Sequence, residues 1–184
     1  MKKMLFAVFA LAMIAACNNE KKKDDKMGDD KKETKMSDNI TYPYKTDYSD
    51  FKMGDPNHLK LVQDFYKVWE ENRMDDGKAM LADSVSVDFA DGNKFKGTAD
   101  SLVSLGKQER AKYKALKITI DACMAVHYND KNEDWVLVWD RAYTTDQKGK
   151  IDSMGGHSYW QIKNGKIAYW GEQQAKLAPT KEMK

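Results

Sequence analysis

Cysteine is nearly absent from this chain: Cys17 and Cys123 are the only two in 184 residues. With Cys17 at the edge of an apolar leader, no pair is left for a disulfide framework. Histidine is as scarce. His58, His127 and His157 fall in separate segments with no HxH or HExxH spacing, so neither a metal nor any other cofactor is expected. Net charge is small too, with 31 Lys and Arg against 29 Asp and Glu; setting aside residues 1–16, which hold Lys2 and Lys3, balances the signs. A balanced chain lacks the basic face by which nucleic acid is bound, and no such partner is expected. Glycine-rich phosphate loops, a serine nucleophile elbow and internal repeats are missing. So is an apolar run of the ~20 residues that a membrane-spanning helix needs.

The longest apolar run goes only from Met4 to Ala16. Preceded by Lys2 and Lys3 and ending in small residues, it has the layout of a secretory signal peptide. Ile14-Ala15-Ala16-Cys17 resembles the bacterial lipobox. The resemblance implies cleavage before Cys17, a lipid on its thiol and acylation of the new amino terminus, and two or more acyl chains hold a protein stably on a bilayer. It therefore implies a membrane partner and a place in the bacterial cell envelope. Asn18 stands where some inner-membrane lipoproteins carry aspartate, which favours the outer membrane and leaves the periplasmic or surface face open. Residues 17–40, "CNNEKKKDDKMGDDKKETKMSDNI", are almost wholly polar and cannot bury enough apolar surface to offset their ordering entropy. The expected organisation is a signal segment over 1–16, a disordered charged tether over 17–40 and one domain over 41–184, long enough for a proper core.

The domain opens with "ITYPYKTDYSDFKMGDP", whose aromatics have no period and are too many to leave in water, so this arm should lie on the domain surface. Asp55-Pro56 reads as a helix start, and Leu61, Val62, Phe65 and Trp69, with Tyr66 beside them, form a 3.6-residue stripe. "RMDDGKAMLAD" follows as a turn and a short second helix. "SVSVDFADGNKFKG" alternates around Asp91-Gly92, a hairpin signal. Helical spacing returns from Thr98 to about Tyr113. The last third is strand after strand. In the first of these, Leu116, Ile118, Ile120, Ala122, Met124 and Val126 should share one face, opposite Asp121, Cys123 and His127, with Cys123 a buried apolar thiol. "WVLVWDRAYTTD" is apolar on both faces and reads as a central strand. Helix, helix, strand pair, helix and four antiparallel strands make an α+β layout, with the helices on one face of a curved sheet.

That order, with Phe95-Lys96-Gly97 before the third helix and "HSYWQIKNGKIAYW" near the end, resembles the nuclear transport factor 2-like superfamily, including its SnoaL-like and ketosteroid-isomerase-like members. The resemblance covers Asp55 to about Lys176. It implies a cone in which a strongly bent antiparallel sheet wraps about three N-terminal helices around a deep pocket, and a homodimer through the outer sheet face. Ketosteroid isomerases take a base from near the start of the first strand, where Asp88 falls, and an oxyanion-binding tyrosine from the first helix, where Tyr66 is the candidate. The position of their protonated acid corresponds to Ser158, which cannot play that part in the same way, so the catalytic set is matched only in part. His157 follows two glycines and is the second candidate proton carrier, since an imidazole suits proton transfer near neutral pH. Parity argues against it: Ser158, Trp160 and Ile162 share one strand face, His157, Tyr159 and Gln161 the other.

Of five tryptophans, Trp69, Trp139, Trp160 and Trp170, together with Tyr66 and Ser158, are the candidate pocket wall. Three functions follow. The first is a lipid-anchored domain binding a small, mostly apolar molecule. The second is an isomerase- or dehydratase-type enzyme using His157 or Asp88. The third is a dimerising interaction module of the envelope. Whether the chain is an enzyme stays open at this point.

Overall fold

The computed structural model describes residues 41–177; the signal segment, Cys17 and the tether lie outside the described residues. Seven strands form one curved, unclosed sheet in the order β1-β4-β5-β6-β7-β2-β3. They are β1 (Phe51–Met53), β2 (Leu81–Asp88), β3 (Lys94–Thr98), β4 (Tyr113–Tyr128), β5 (Glu133–Asp146), β6 (Ile151–Lys163) and β7 (Lys166–Lys176). All neighbours are antiparallel except β2 and β7, which run parallel. Three helices, α1 (Pro56–Glu70), α2 (Met74–Gly77) and α3 (Ala99–Arg110), complete the α+β architecture.

Helix α1 begins as its sequence dictates. The Asp55 carboxylate accepts the Asn57 N–H at 2.8 Å, and Pro56 occupies the first turn, where its missing N–H costs nothing. The stripe buries Val62, Phe65 and Val68 against Val85, Val136, Val138, Trp160 and Trp170. At the other end of α1, the buried Arg110 guanidinium donates to the carbonyls of Trp69 (3.1 Å), Glu70 (3.1 Å) and Tyr113 (2.8 Å). It thereby supplies a donor to the Glu70 carbonyl at the helix end, adds a second to that of Trp69, which also accepts from the Asn72 N–H, and ties both to the start of β4. Helix α3 is capped by Thr98, whose hydroxyl accepts the Ser101 N–H.

Three elements differ from the sequence expectation. The aromatic arm supplies an edge strand, β1, paired to the far end of β4; Tyr48 packs edge-on against Tyr128 at 4.6 Å, but Tyr42 and Tyr44 stay in solvent. The second helix stops early. After a 3-10 turn (Lys78–Met80), Leu81 already pairs with Ile167 and is buried, so burial in the sheet outweighs helical continuation. The third difference is a bulge in β4, where Ile120 pairs with Asp140 and Ala122 with Trp139, leaving Asp121 unpaired. An extra residue flips every later side chain to the other face. Cys123 and Ala125 therefore point inward and Met124 outward, reversing the faces expected from strict alternation. Cys123 is half-buried rather than sealed, and its sulfur accepts from Gln63 Nε2 at 3.1 Å.

Candidate ligand pocket

Between α1, α3 and the concave side of β5–β7 lies a cavity of about 740 Å³. Alternation decides what faces it. From β5 come Asp140, Ala142 and Thr144; from β6, Gly156, Ser158 and Trp160; from β7, Trp170 and Glu172; helix α1 adds Phe65, Tyr66 and Trp69. Trp160 and Trp170 stack at 4.8 Å with 19° between their planes, and Phe65 packs on both, at 5.9 and 5.7 Å. Gly156 leaves room for the Asp140 carboxylate, which lies close over it: a Cβ there would sit 3.1 Å from Asp140 Oδ1 and push it aside slightly.

One hydrogen-bond chain crosses this wall. Trp160 Nε1 donates to Ser158 Oγ at 2.8 Å, Ser158 Oγ lies 2.8 Å from Tyr66 Oη, and Tyr66 donates to Asp140 Oδ1 at 3.1 Å. Indole N–H can only donate and an ionised carboxylate can only accept, so the protons must run from Trp160 through Ser158 and Tyr66 to Asp140. On β7, Trp170 Nε1 donates to Glu172 Oε1 at 2.8 Å. Burial and the Asp140 charge push the Tyr66 phenol far above its usual range, so it stays a donor. Burial likewise raises the Asp140 carboxyl, against the opposing Tyr66 hydrogen bond. Glu172 is raised by burial first, with Asp140 adding to the effect and the Trp170 hydrogen bond opposing it.

No protein-family model and no curated protein sequence matches the chain. Solved structures do. An LEH-like epoxide hydrolase from Mycobacterium tuberculosis aligns at a TM-score of 0.56 and 12% identity, over 65% of this chain and 84% of that one. A nuclear transport factor 2-like protein of unknown function from Exiguobacterium aligns at 0.54 and 12%, over 62% and 98%. Another, from Burkholderia pseudomallei, aligns at 0.54 and 14%, over 65% and 91%. The chain has the nuclear transport factor 2-like fold. Identity this low carries the fold and no chemistry, so the site must be read from its own residues.

Within this nuclear transport factor 2-like fold, Tyr66, Trp69, Ser158, Trp160 and Trp170 come together on the cavity wall. Trp139 does not: its parity on β5 turns it to the outer sheet face, where it is 38% exposed and lies 4.8 Å from the His157 ring. His157 borders the cavity, but its ring belongs to that outer aromatic row, with Tyr159 at 6.3 Å. Asp88 sits on the β2–β3 hairpin apart from the cavity lining; it accepts from Lys94 Nζ at 2.7 Å and Tyr169 Oη at 3.3 Å, and the Lys94 hydrogen bond holds its carboxyl low, a poor setting for a base. His58 and His127, expected to be far apart, meet at Asp134, 4.0 and 2.9 Å from its Oδ1. Among the described residues, no group of three or more His, Cys, Asp or Glu is placed to hold a metal ion.

Asp140 and Glu172 are the site residues that sequence reasoning missed. Each carried a signal: Asp140 is in phase with the buried Val136 and Val138, and Glu172 with the buried Trp170.

Proposed function

We propose that this chain is a lipid-anchored envelope protein whose nuclear transport factor 2-like domain binds a small, mostly apolar molecule in the cavity. The observation that carries this reading is the cavity lining: an aromatic wall of Phe65, Trp69, Trp160 and Trp170 around a few convergent polar groups. Anchoring rests on the lipobox-like Ile14-Ala15-Ala16-Cys17 alone. One experiment tests both parts. The chain is extracted from its native envelope in detergent and weighed intact by native mass spectrometry. The expected polypeptide begins at Cys17 with acyl groups attached and carries a further dissociable mass, which Trp160→Ala removes. An unlipidated chain would sink the anchor, and a bare mass would sink the pocket.

A second reading, proton-transfer catalysis, is favoured by a specific observation: two carboxyls raised by burial share one apolar cavity with a phenol that keeps its proton. In this reading Asp140, held by the Tyr66 hydroxyl, takes a proton from the bound molecule and a protonated Glu172 donates a hydrogen bond where negative charge develops. Once a turned-over compound is found, Asp140→Asn should lower kcat at least 100-fold with binding nearly intact. An undiminished kcat would remove Asp140 from the chemistry.

The proposal extends to a second copy of the chain against the outer sheet face, where Met124 and Trp139 are left 39% and 38% exposed.

A further inference from the structure

The charge and donor count of the cavity narrow the class of molecule it takes, given that it is a binding pocket. Its lining holds four carboxylates, Asp91, Glu109, Asp140 and Glu172, against two lysines, Lys94 and Lys112. Both lysines are already engaged, Lys94 Nζ with Asp88 at 2.7 Å and Lys112 Nζ with Glu109 at 2.6 Å. Asp91 is taken up by its own turn, accepting from the Asn93 backbone and side chain. That leaves Asp140 and Glu172, on the strands flanking β6 and facing the same space. Among the described residues, neither makes an ion pair with a lysine, arginine or histidine.

The donors hydrogen-bonded to these carboxylates or linked to them in a chain are committed: Trp160 donates to Ser158, Ser158 to Tyr66, Tyr66 to Asp140, and Trp170 to Glu172. On the two carboxylates the open positions are acceptors, since the second oxygen of each has no hydrogen-bond donor among the described residues; the exposed amides of Gln173 and Gln174 also line the cavity. A ligand carbonyl or carboxylate would find acceptors facing acceptors. An ammonium would supply both the missing donors and the missing positive charge, and the faces of the surrounding indole and phenol rings attract cations as well. Burying two carboxylates without a counter-charge is costly, and a bound cation relieves that cost in proportion to how completely it is enclosed.

We propose that the molecule this pocket takes is an organic cation, a small apolar body bearing one ammonium group, with Glu172 as its ion-pair partner and Asp140 as the second negative charge at the same end. A bare metal ion fits poorly, because most of the wall is aromatic or aliphatic and, among the described residues, no three ligating groups converge.

The test uses the full chain and three probes of nearly the same shape: 2-phenylethylamine, neutral 2-phenylethanol and anionic phenylacetate. Binding is read at pH 7 by calorimetry and by quenching of the tryptophan emission. The amine should bind at least tenfold more tightly than the alcohol, with phenylacetate weakest. In Glu172→Gln, which preserves the acceptor for Trp170, and separately in Asp140→Asn, the amine-to-alcohol ratio should fall towards one. An alcohol bound as tightly as the amine by the unmodified chain would overturn the cation preference and leave the pocket standing. No binding of any probe at millimolar concentration would overturn the pocket itself and the preference with it.

Discussion

Glu172 is a carboxyl that is largely buried and has a neutral indole as its only hydrogen-bond partner among the described residues. Its carboxyl is raised in the folded chain, chiefly by burial, so the native state holds its proton to higher pH than the unfolded chain does. Stability therefore falls as pH rises from the ordinary carboxylate range through the range in which the native carboxyl loses its proton. Glu172→Gln removes the charge and keeps the Trp170 hydrogen bond. It should stabilise the ligand-free chain at pH 7, because burial penalises the charged form that the glutamine cannot adopt. The gain should shrink away as pH falls below the ordinary carboxylate range, where the glutamate is protonated in both states. Urea unfolding at pH 7 and below that range checks this, and a Gln variant less stable at pH 7 would show that Glu172 is held by something other than Trp170. A site residue that weakens the fold is what a binding role predicts, because the ligand's charge is the missing partner.

At the scale of elements, α1 is the part that carries both core and site: one face buries Val62, Phe65 and Val68, and its flank offers Tyr66 and Trp69 to the cavity. Its far end is held by Arg110, 41 residues away from Trp69 in sequence. Arg110→Ala would remove a donor from three part-buried carbonyls, of which Trp69's keeps the Asn72 N–H, each loss costing about 1 kcal/mol. The expected loss is about 2 kcal/mol in chemical unfolding, with quenching of Trp69 by an external quencher increased as the helix end frays. Arg110→Lys reaches fewer of the three carbonyls and should recover only part of the loss. Equal stability of the alanine variant would mean that water replaces the guanidinium. Element scale also shows what periodicity can and cannot reveal. The α1 stripe, the Asp91-Gly92 hairpin and the four long strands follow local rules and were readable. The Asp121 bulge was not, because "ITIDACMAV" alternates without a break and only pairing with β5 shows which residue is extra. Asp140 was lost for a related reason: in a strand apolar on both faces, a lone carboxylate looks like an irregularity until its neighbours fix which face is inside. Trp139, its neighbour, was assigned to the wall by residue type when parity places it outside.

For the described domain as a whole, the sheet has two unlike faces. The concave one is closed by helices around the cavity. The convex one carries a ladder of rings, Trp135, Tyr159 and Tyr169 within 6.2 Å of one another and Trp139 stacked on His157, with no helix over it. Tyr159 lies directly over Gly171, where a Cβ would collide with its ring, so this ring of the ladder is packed down onto β7. The Asp121–Arg141 pair, 2.5 Å apart, stands beside Trp139 and Ala122, offering opposite charges side by side. Two copies related by a twofold axis could set the acid of one against the base of the other, while both bury Met124 and Trp139. A stable pair of this kind covers about 800 Å² on each partner, which an aromatic sheet face of three strands can supply. The full chain in detergent should therefore sediment as a dimer at micromolar concentration, and Trp139→Glu should return it to monomer without altering unfolding of the isolated subunit. If the glutamate variant stays dimeric, another surface joins the copies; if the unmodified chain is monomeric throughout, the ladder faces water or a different protein. Because Trp139 and the cavity lie on opposite sides of β5, losing the dimer should leave amine binding in the pocket unchanged, which separates assembly from recognition.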